Sequence, residues 1–86
     1  VGIEEVNVDF NSSTYPNPTT GQFMLNTSHQ NFSLEIYNYL GESLFSKKMN
    51  KKTIQFDLTK LTSTKGLYLI VVKTQNQVQT HKLLLK

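Results

Sequence analysis

Apolar and polar side chains alternate with a period of two along several short segments of this chain of 86 residues. The clearest case is Phe32–Tyr37, and Gln22–Asn26 and Thr53–Leu58 show the same pattern. Successive side chains of a strand point to opposite faces, so this pattern predicts strands that are buried on one face. Helical periodicity is hard to find. The chain is therefore expected to form an antiparallel sheet structure.

Turn residues separate the predicted strands. Asn38–Gly41 leads into a strand at Glu42–Lys48, and Gly41 supplies a residue that tolerates positive φ. Asn50–Lys52 is a polar turn, and Gln75–Asn76 is expected to form a tight hairpin.

Three further segments complete the prediction of the fold. Leu67–Val72 is apolar on both faces, which predicts a central strand that is covered on both sides. Ile3–Phe10 alternates and is predicted to be an edge strand, whereas Leu58–Thr64, which is able to form a helical turn, is assigned to a loop. The fold class is therefore all-β: an antiparallel immunoglobulin-like β-sandwich of about seven short strands.

The composition excludes several classes of protein. The chain has no cysteine, which excludes disulfides, thiolate zinc sites and cysteine nucleophiles. It has no arginine, the residue that makes bidentate contacts to guanine and phosphate, so nucleic-acid binding is disfavoured. The longest apolar run, Leu67–Val72, is too short to span a membrane. Because the first residue is Val1 rather than Met, we expect one domain of a longer protein.

No group of residues predicts an enzyme. His29 and His81 are the only histidines, and no acidic residue accompanies them at ligand spacing, so we expect solvated histidines and no metal site. The carboxylates fall mostly on the polar faces of strands, and no G-x-S-x-G nucleophile turn is present. We expect no catalytic residue and no cofactor.

Two groups of side chains have alternative interpretations. Lys47, Lys48, Lys51 and Lys52 surround a hairpin, where they either bind an anionic partner or protect a sheet edge, and the second interpretation is favoured. The tyrosines either stack on sugars or are half-buried residues whose hydroxyls bind backbone groups, and the second is again favoured. These tyrosines are Tyr15, Tyr37, Tyr39 and Tyr68.

The segment Tyr15–Gly21 differs from the other turns. Pro16 and Pro18 fix φ on either side of Asn17, and the turn that follows ends at a glycine, a residue free to adopt positive φ. We predict a rigid turn that leads directly into the next strand.

Four motifs follow one another in a specific order. An aromatic residue, Pro-Asn-Pro and a nearby glycine come first, and an alternating strand with a glycine turn comes second. A leucine-rich turn with Gly-x-Tyr then opens an apolar strand, and a basic and apolar strand ends the chain. The matching residues are Tyr15, Pro16, Asn17, Pro18 and Gly21; Leu34–Asn38 and Gly41; Leu58, Leu61, Gly66 and Tyr68; and His81–Lys86. In this order the motifs resemble the C-terminal sorting domain of the type IX (Por) secretion system of Bacteroidetes.

The resemblance implies a domain that has no chemistry of its own. It implies a C-terminal sorting domain over residues 15–86, with an upstream linker or edge strand over residues 1–14. Such domains direct an attached N-terminal cargo, which has reached the periplasm, across the outer membrane to the cell surface or the medium. The implied partners are an outer-membrane shuttle protein with a β-barrel and a sortase-like cysteine protease that removes the domain.

We expect recognition to involve the last strand, through strand addition to its backbone. The hypothetical contact residues are Lys82, Leu83, Leu84, Leu85 and Lys86. The prolines and glycines of the other motifs are expected mainly to hold the shape of the domain. The alternative function is that of an immunoglobulin-like or carbohydrate-binding β-sandwich module, which would bind its ligand through exposed tyrosines.

Overall fold

The structure, a computed structural model, describes residues 11–86. It contains seven strands within that part of the chain. Six of them lie close to predicted strands, whereas the strand at Ser12–Tyr15 was not predicted. The strands are β1 (Ser12–Tyr15), β2 (Gln22–Thr27), β3 (Phe32–Asn38), β4 (Ser43–Met49), β5 (Thr53–Asp57), β6 (Gly66–Lys73) and β7 (Val78–Leu85). The strand predicted at Ile3–Phe10 lies outside the described residues.

The strands form two antiparallel sheets, which confirms the predicted all-β class. The three-stranded sheet has the order β1-β2-β5, and the four-stranded sheet has the order β4-β3-β6-β7. The polar segment Ser12–Tyr15 forms β1, the edge strand of the smaller sheet, and its Ser12 pairs with Thr27 of β2. An edge strand needs few apolar side chains, because only part of its surface is buried.

One hydrophobic core lies between the two sheets. Strand β2, and β3 up to Tyr37, alternate between buried and more exposed positions, as expected for strands with one buried face. The core contains side chains from both sheets and from the segment after β5: Phe23, Leu25, Phe32, Leu34, Ile36, Leu58, Tyr68, Ile70, Val72, Leu83 and Leu85.

Strand β6 is central, as its apolar sequence predicts, because it pairs with β3 on one side and with β7 on the other. Its inner side chains, Tyr68, Ile70 and Val72, belong to the core. Its outer face is covered only in part: Val71 is buried, whereas Leu67 retains 38% of its exposed surface. The prediction that β6 is covered on both faces is therefore only partly correct, because no second layer of the described residues packs on its outer face.

The connections agree with the predicted turns except at one place. The Gln75–Asn76 hairpin is present and is closed by a bond from the Thr74 nitrogen to the Gln77 carbonyl at 2.8 Å. The predicted loop after β5 instead contains a short 3₁₀ turn at Leu58–Lys60. Asp57 stabilises the start of that turn, since its carboxylate accepts a hydrogen bond from the Thr59 nitrogen.

No helix in residues 11–86 is long and apolar enough to cross a membrane.

Candidate functional site

The Pro-Asn-Pro segment lies against the edge of β7 that does not pair with β6. The side-chain nitrogen of Asn17 donates to the Lys82 carbonyl at 2.7 Å, and its side-chain oxygen accepts from the Leu84 nitrogen at 3.0 Å. The amide of Asn17 thus takes the place of a peptide group on a neighbouring strand. Both X-Pro bonds of the segment, at Pro16 and Pro18, are cis.

The backbone of Thr19 continues this pairing. Its nitrogen donates to the Leu84 carbonyl at 2.8 Å, and its carbonyl accepts from the Lys86 nitrogen at 2.9 Å, which makes a parallel bridge at Thr19 and Leu85. We call the four bonds of Asn17 and Thr19 to β7 the edge clamp. The clamp closes the edge of the last strand over Leu84–Lys86, so the domain itself already occupies that edge.

Thr19 is also the anchor of the turn that carries the clamp. It is buried, its hydroxyl donates to the Gln22 carbonyl at 2.5 Å, and it accepts from the Gly21 nitrogen at 3.0 Å. Gly21 has a φ of 145°, and a Cβ placed there would lie 2.6 Å from the Cγ2 atom of Thr59. A glycine is therefore required at this position by both conformation and space.

The five residues predicted to mediate recognition divide into two groups. Leu83 and Leu85 point inward and are buried in the core. Lys82, Leu84 and Lys86 are exposed, and their positions alternate with those of the buried pair. The clamp bonds the backbone of these three exposed residues.

The pairing register shows which side chains share the outer face of the four-stranded sheet, the face away from the core. Cross-strand partners lie on the same face, so the rows follow from the register. From one end to the other the rows on β3, β6 and β7 are Ser33, Lys73 and Val78; Glu35, Val71 and Thr80; Tyr37, Leu69 and Lys82; and Leu67 and Leu84. Strand β4 adds Lys48 beside Ser33 and Ser46 beside Glu35.

A polar network lies within the outer face. Lys73 forms an ion pair with Glu35 at 3.1 Å, and the Tyr37 hydroxyl donates to the same carboxylate at 2.6 Å. The hydrogen bond from Tyr37 and then that from Lys73 lower the pKa of Glu35, and Glu35 in turn raises the pKa of Tyr37. The negative charge of Glu35 is therefore compensated within the sheet.

The hairpin between β3 and β4 is held by Asn38. Its side-chain oxygen accepts from the nitrogens of Leu40 and Glu42, both at 3.0 Å, and its side-chain nitrogen donates to the Glu42 carboxylate at 2.6 Å. Gly41 has a φ of 86°, as the predicted turn requires. The tip presents Tyr39, which is 72% exposed, and Leu40, which is 68% exposed.

Gly66 and Tyr68 organise the start of β6. Gly66 has a φ of 141° with open space around it, so its requirement is conformational. The ring of Tyr68 is in the core, and its hydroxyl reaches the loop before the strand, where it binds the carbonyl of Thr64 and the hydroxyl of Thr62. These contacts agree with a structural role for both residues.

The two histidines have different environments. His29 is exposed in its loop, whereas His81 is half-buried and its Nε2 lies 2.6 Å from the hydroxyl of Ser12, which also contacts Gln79. Burial lowers the pKa of His81. The expectation of a solvated histidine is thus wrong for His81, because the register of β7 turns its side chain inward. No group of three or more potential metal ligands occurs in the described residues.

The four tyrosines do not form one group. Tyr15 is on β1 and Tyr68 is in the core, whereas Tyr37 and Tyr39 lie at the end of β3 and in the turn that follows. The hydroxyl of Tyr37 is bound to Glu35, and Tyr39 is exposed. Lys47, Lys48, Lys51 and Lys52 are all exposed. The first two lie on the edge strand β4 and the other two in the turn before β5, which joins the two sheets and is not the hairpin that was predicted. This placement agrees with protection of the sheet edges.

Sequence comparison identifies the class of protein to which this arrangement belongs. A family model described as the secretion system C-terminal sorting domain matches residues 13–86. The chain belongs to this family, that of the type IX secretion system, as its motifs predict. A comparison with the curated proteins gave no match.

Two functional features were not predicted from the sequence. Thr19 appeared only as part of a turn, yet it carries half of the edge clamp. Asn38 was assigned to a turn without a specific role, although an asparagine that precedes a short turn is a known local signal for side-chain to backbone bonding.

Proposed function

We propose that this domain is a secretion signal that directs an attached cargo across the outer membrane by the type IX system. The observation that carries the proposal is the family match over residues 13–86, which includes all four motifs. The structure supports it because the residues of the first motif hold the last strand in place through the edge clamp.

The proposal includes partners and a route. An outer-membrane shuttle protein with a β-barrel binds the domain, and a sortase-like cysteine protease then removes it from the cargo. The cargo passes through the periplasm and ends at the cell surface or in the medium. The domain itself performs no catalysis and needs no cofactor.

Recognition is proposed to use the exposed side chains of the last strand. Lys82, Leu84 and Lys86 are available on the outer face, whereas Leu83 and Leu85 support the core. The clamp already occupies the backbone edge at Leu84–Lys86, so strand addition there requires that Asn17 and Thr19 be displaced. Contact through side chains needs no such displacement.

The test is an export experiment in a Bacteroidetes host with an active type IX system. A reporter enzyme is given an N-terminal signal peptide and this chain at its C-terminus, and its amount is measured in the periplasm, on the surface and in the medium. We expect export in the active host and periplasmic retention in a strain without the system. Deletion of Lys82–Lys86 should also cause retention. Equal surface delivery with and without the domain would refute the proposal.

We also propose that the two sheets form an immunoglobulin-like sandwich. The support is the strand order: β4-β3-β6-β7 corresponds to the C′-C-F-G sheet of such domains, and β1-β2-β5 corresponds to strands A, B and E. An NMR or crystal structure that showed another connection between the sheets would refute this assignment.

A further inference from the structure

The outer face of the four-stranded sheet becomes apolar towards the end where β7 finishes. The ion pair of Lys73 and Glu35 lies towards the other end, whereas Leu67 and Leu84 pair with each other in the last row. Asn38 pairs with Tyr68 in that region, so the β3–β4 hairpin leaves the sheet at the same end.

This end concentrates the exposed apolar side chains. Six large apolar residues of residues 11–86 are exposed, and four of them lie here. We call these four, which are Tyr39, Leu40, Leu67 and Leu84, the apolar end. A concentration of exposed apolar side chains on a soluble domain indicates an interaction site.

The charges beside the apolar end are positive on the side of β7 and negative at the β3–β4 hairpin. Lys82 lies in the neighbouring row, and Lys86 follows Leu84 in the same alternation. The carboxylate of Glu42 at the hairpin accepts a hydrogen bond from the neutral side chain of Asn38 and keeps its charge, whereas that of Glu35 is paired with Lys73. A partner surface with acidic residues at the margin that faces Lys82 and Lys86 is therefore complementary to this end.

The apolar end is held rigidly from two sides. The edge clamp bonds the backbone of Leu84 through both its nitrogen and its carbonyl, and it also bonds Lys82 and Lys86. The side chain of Asn38 holds the hairpin tip that carries Tyr39. A surface that is ordered before binding loses less conformational entropy when a partner docks.

We propose that the apolar end is the docking surface for a protein partner that presents an apolar patch with an acidic margin. The proposal rests on the proposed sorting function and names the face that the export machinery contacts. A protein is favoured over a lipid surface because only Tyr39 and Leu40, at 72% and 68% exposure, stand out at the hairpin tip. Leu67 and Leu84, at 38% and 42%, protrude little from the sheet face. Insertion into a bilayer requires apolar groups to enter the boundary of the acyl chains by about 5–10 Å.

Export of the reporter fusion is the first test. The variant Tyr39→Ser/Leu84→Ser removes two apolar side chains from the docking surface. Its matched control is Val78→Ser. Val78 is 60% exposed and lies on the same strand and face as Leu84, but at the other end, where it pairs with Lys73. We expect the double variant to lower export about tenfold, a typical effect of central interface residues, and the control to leave export unchanged.

A charge variant avoids any effect on apolar packing. Lys82→Glu/Lys86→Glu reverses the sign of the charge beside the apolar end. Lys51→Glu/Lys52→Glu makes the same change in charge in the turn between β4 and β5 and is the control. We expect only the first pair to lower export. Thermal unfolding of each purified chain shows whether it is folded.

Cross-linking identifies the contacted molecule. The chain has no cysteine, so one cysteine at position 84 or at position 78 carries a photoreactive maleimide probe without competition. The probe is activated with outer-membrane vesicles from the exporting host. We expect a protein adduct from position 84 only, and a lower yield when Lys82 and Lys86 are reversed.

The outcomes separate the two proposals. If the unmodified chain is not exported, the sorting function fails and the docking surface fails with it. If the unmodified chain is exported, and Tyr39→Ser/Leu84→Ser and Lys82→Glu/Lys86→Glu are exported as well as it is, only the docking surface is refuted. Binding to protein-free vesicles of phosphatidylethanolamine and phosphatidylglycerol that is lost in the same variants would also refute it, in favour of a lipid surface.

Discussion

The side-chain oxygen of Asn17 accepts a hydrogen bond from the backbone nitrogen of Leu84 at 3.0 Å, although the two residues are 67 positions apart in the chain. Together with the bond from Asn17 to the Lys82 carbonyl, this contact joins the first motif of the domain to its last strand. The two ends of the motif pattern are therefore one structural unit.

The first prediction concerns that unit. Asn17→Ala removes one donor and one acceptor and should lower the free energy of unfolding by about 1–2 kcal/mol, at a net value of about 1 kcal/mol per hydrogen bond. Urea unfolding measures the loss.

Asn17→Asp is the matched variant, because it keeps the acceptor for Leu84 but replaces the donor to the Lys82 carbonyl by an oxygen that this carbonyl repels. Amide hydrogen exchange should become faster at Leu84 in the alanine variant and change less in the aspartate variant. Equal exchange in all three proteins would contradict the role given to the clamp.

The second prediction concerns the space around Gly21. Gly21→Ala should destabilise the domain more than Gly66→Ala. Both positions have positive φ, with a strain of about 1–3 kcal/mol for another residue, but only Gly21 is close to a neighbouring side chain. Denaturant unfolding of the two variants measures the difference.

The neighbour of Gly21 provides the control. Thr59→Ser removes the Cγ2 atom that a Cβ at position 21 would meet at 2.6 Å, and it keeps the hydroxyl that binds Asp57. The double variant Gly21→Ala/Thr59→Ser should therefore recover part of the lost stability. A strictly additive effect of the two changes would show that the clash is not the cause.

The third prediction separates stability from recognition within three adjacent leucines. Leu83 is fully buried, so Leu83→Ala should cost about 2–5 kcal/mol. Leu84 is 42% exposed, so Leu84→Ala should cost much less stability and should mainly lower export. Thermal unfolding and the export assay are applied to both variants. If the register of β7 were shifted by one residue, Leu84→Ala would be the less stable variant and Leu83→Ala would keep its stability.

The fourth prediction concerns pH. Burial lowers the pKa of His81 in the folded state below its ordinary value of 6.5, so the unfolded state binds more protons in this range. Stability contributed by the neutral imidazole is thus present above about pH 6.5 and decreases as the pH falls towards the folded pKa.

Unfolding in urea at several pH values between about 7 and 5 measures this loss, in a range above the ordinary pKa of the carboxylates. His81→Gln has no titrating group at this position, and its stability should vary less over the same range. An identical slope in both proteins would assign the pH dependence to other groups.

Much of the fold follows from local pattern. The alternation in Phe32–Tyr37 is sufficient to predict a half-buried strand, since the period of two is a property of the strand itself. The turn at Gly41 is equally local, because its conformation depends on its own φ. The 3₁₀ turn at Leu58–Lys60 was missed because so short an element gives no periodic pattern.

The sequence by itself determined the order of the strands from β2 to β7 and, through the four motifs, the family of the domain. It did not predict β1, whose polar sequence gives no apolar alternation. Only the tertiary structure decided that Asn17 and Thr19 pair with the last strand, that His81 points inward, and that Leu84 rather than Leu83 faces outward. The physical reason is that each of these depends on register and on contacts between distant segments. A shift of one residue in register exchanges the two faces of a strand, and the outcome is set by the partner strand and the shared core.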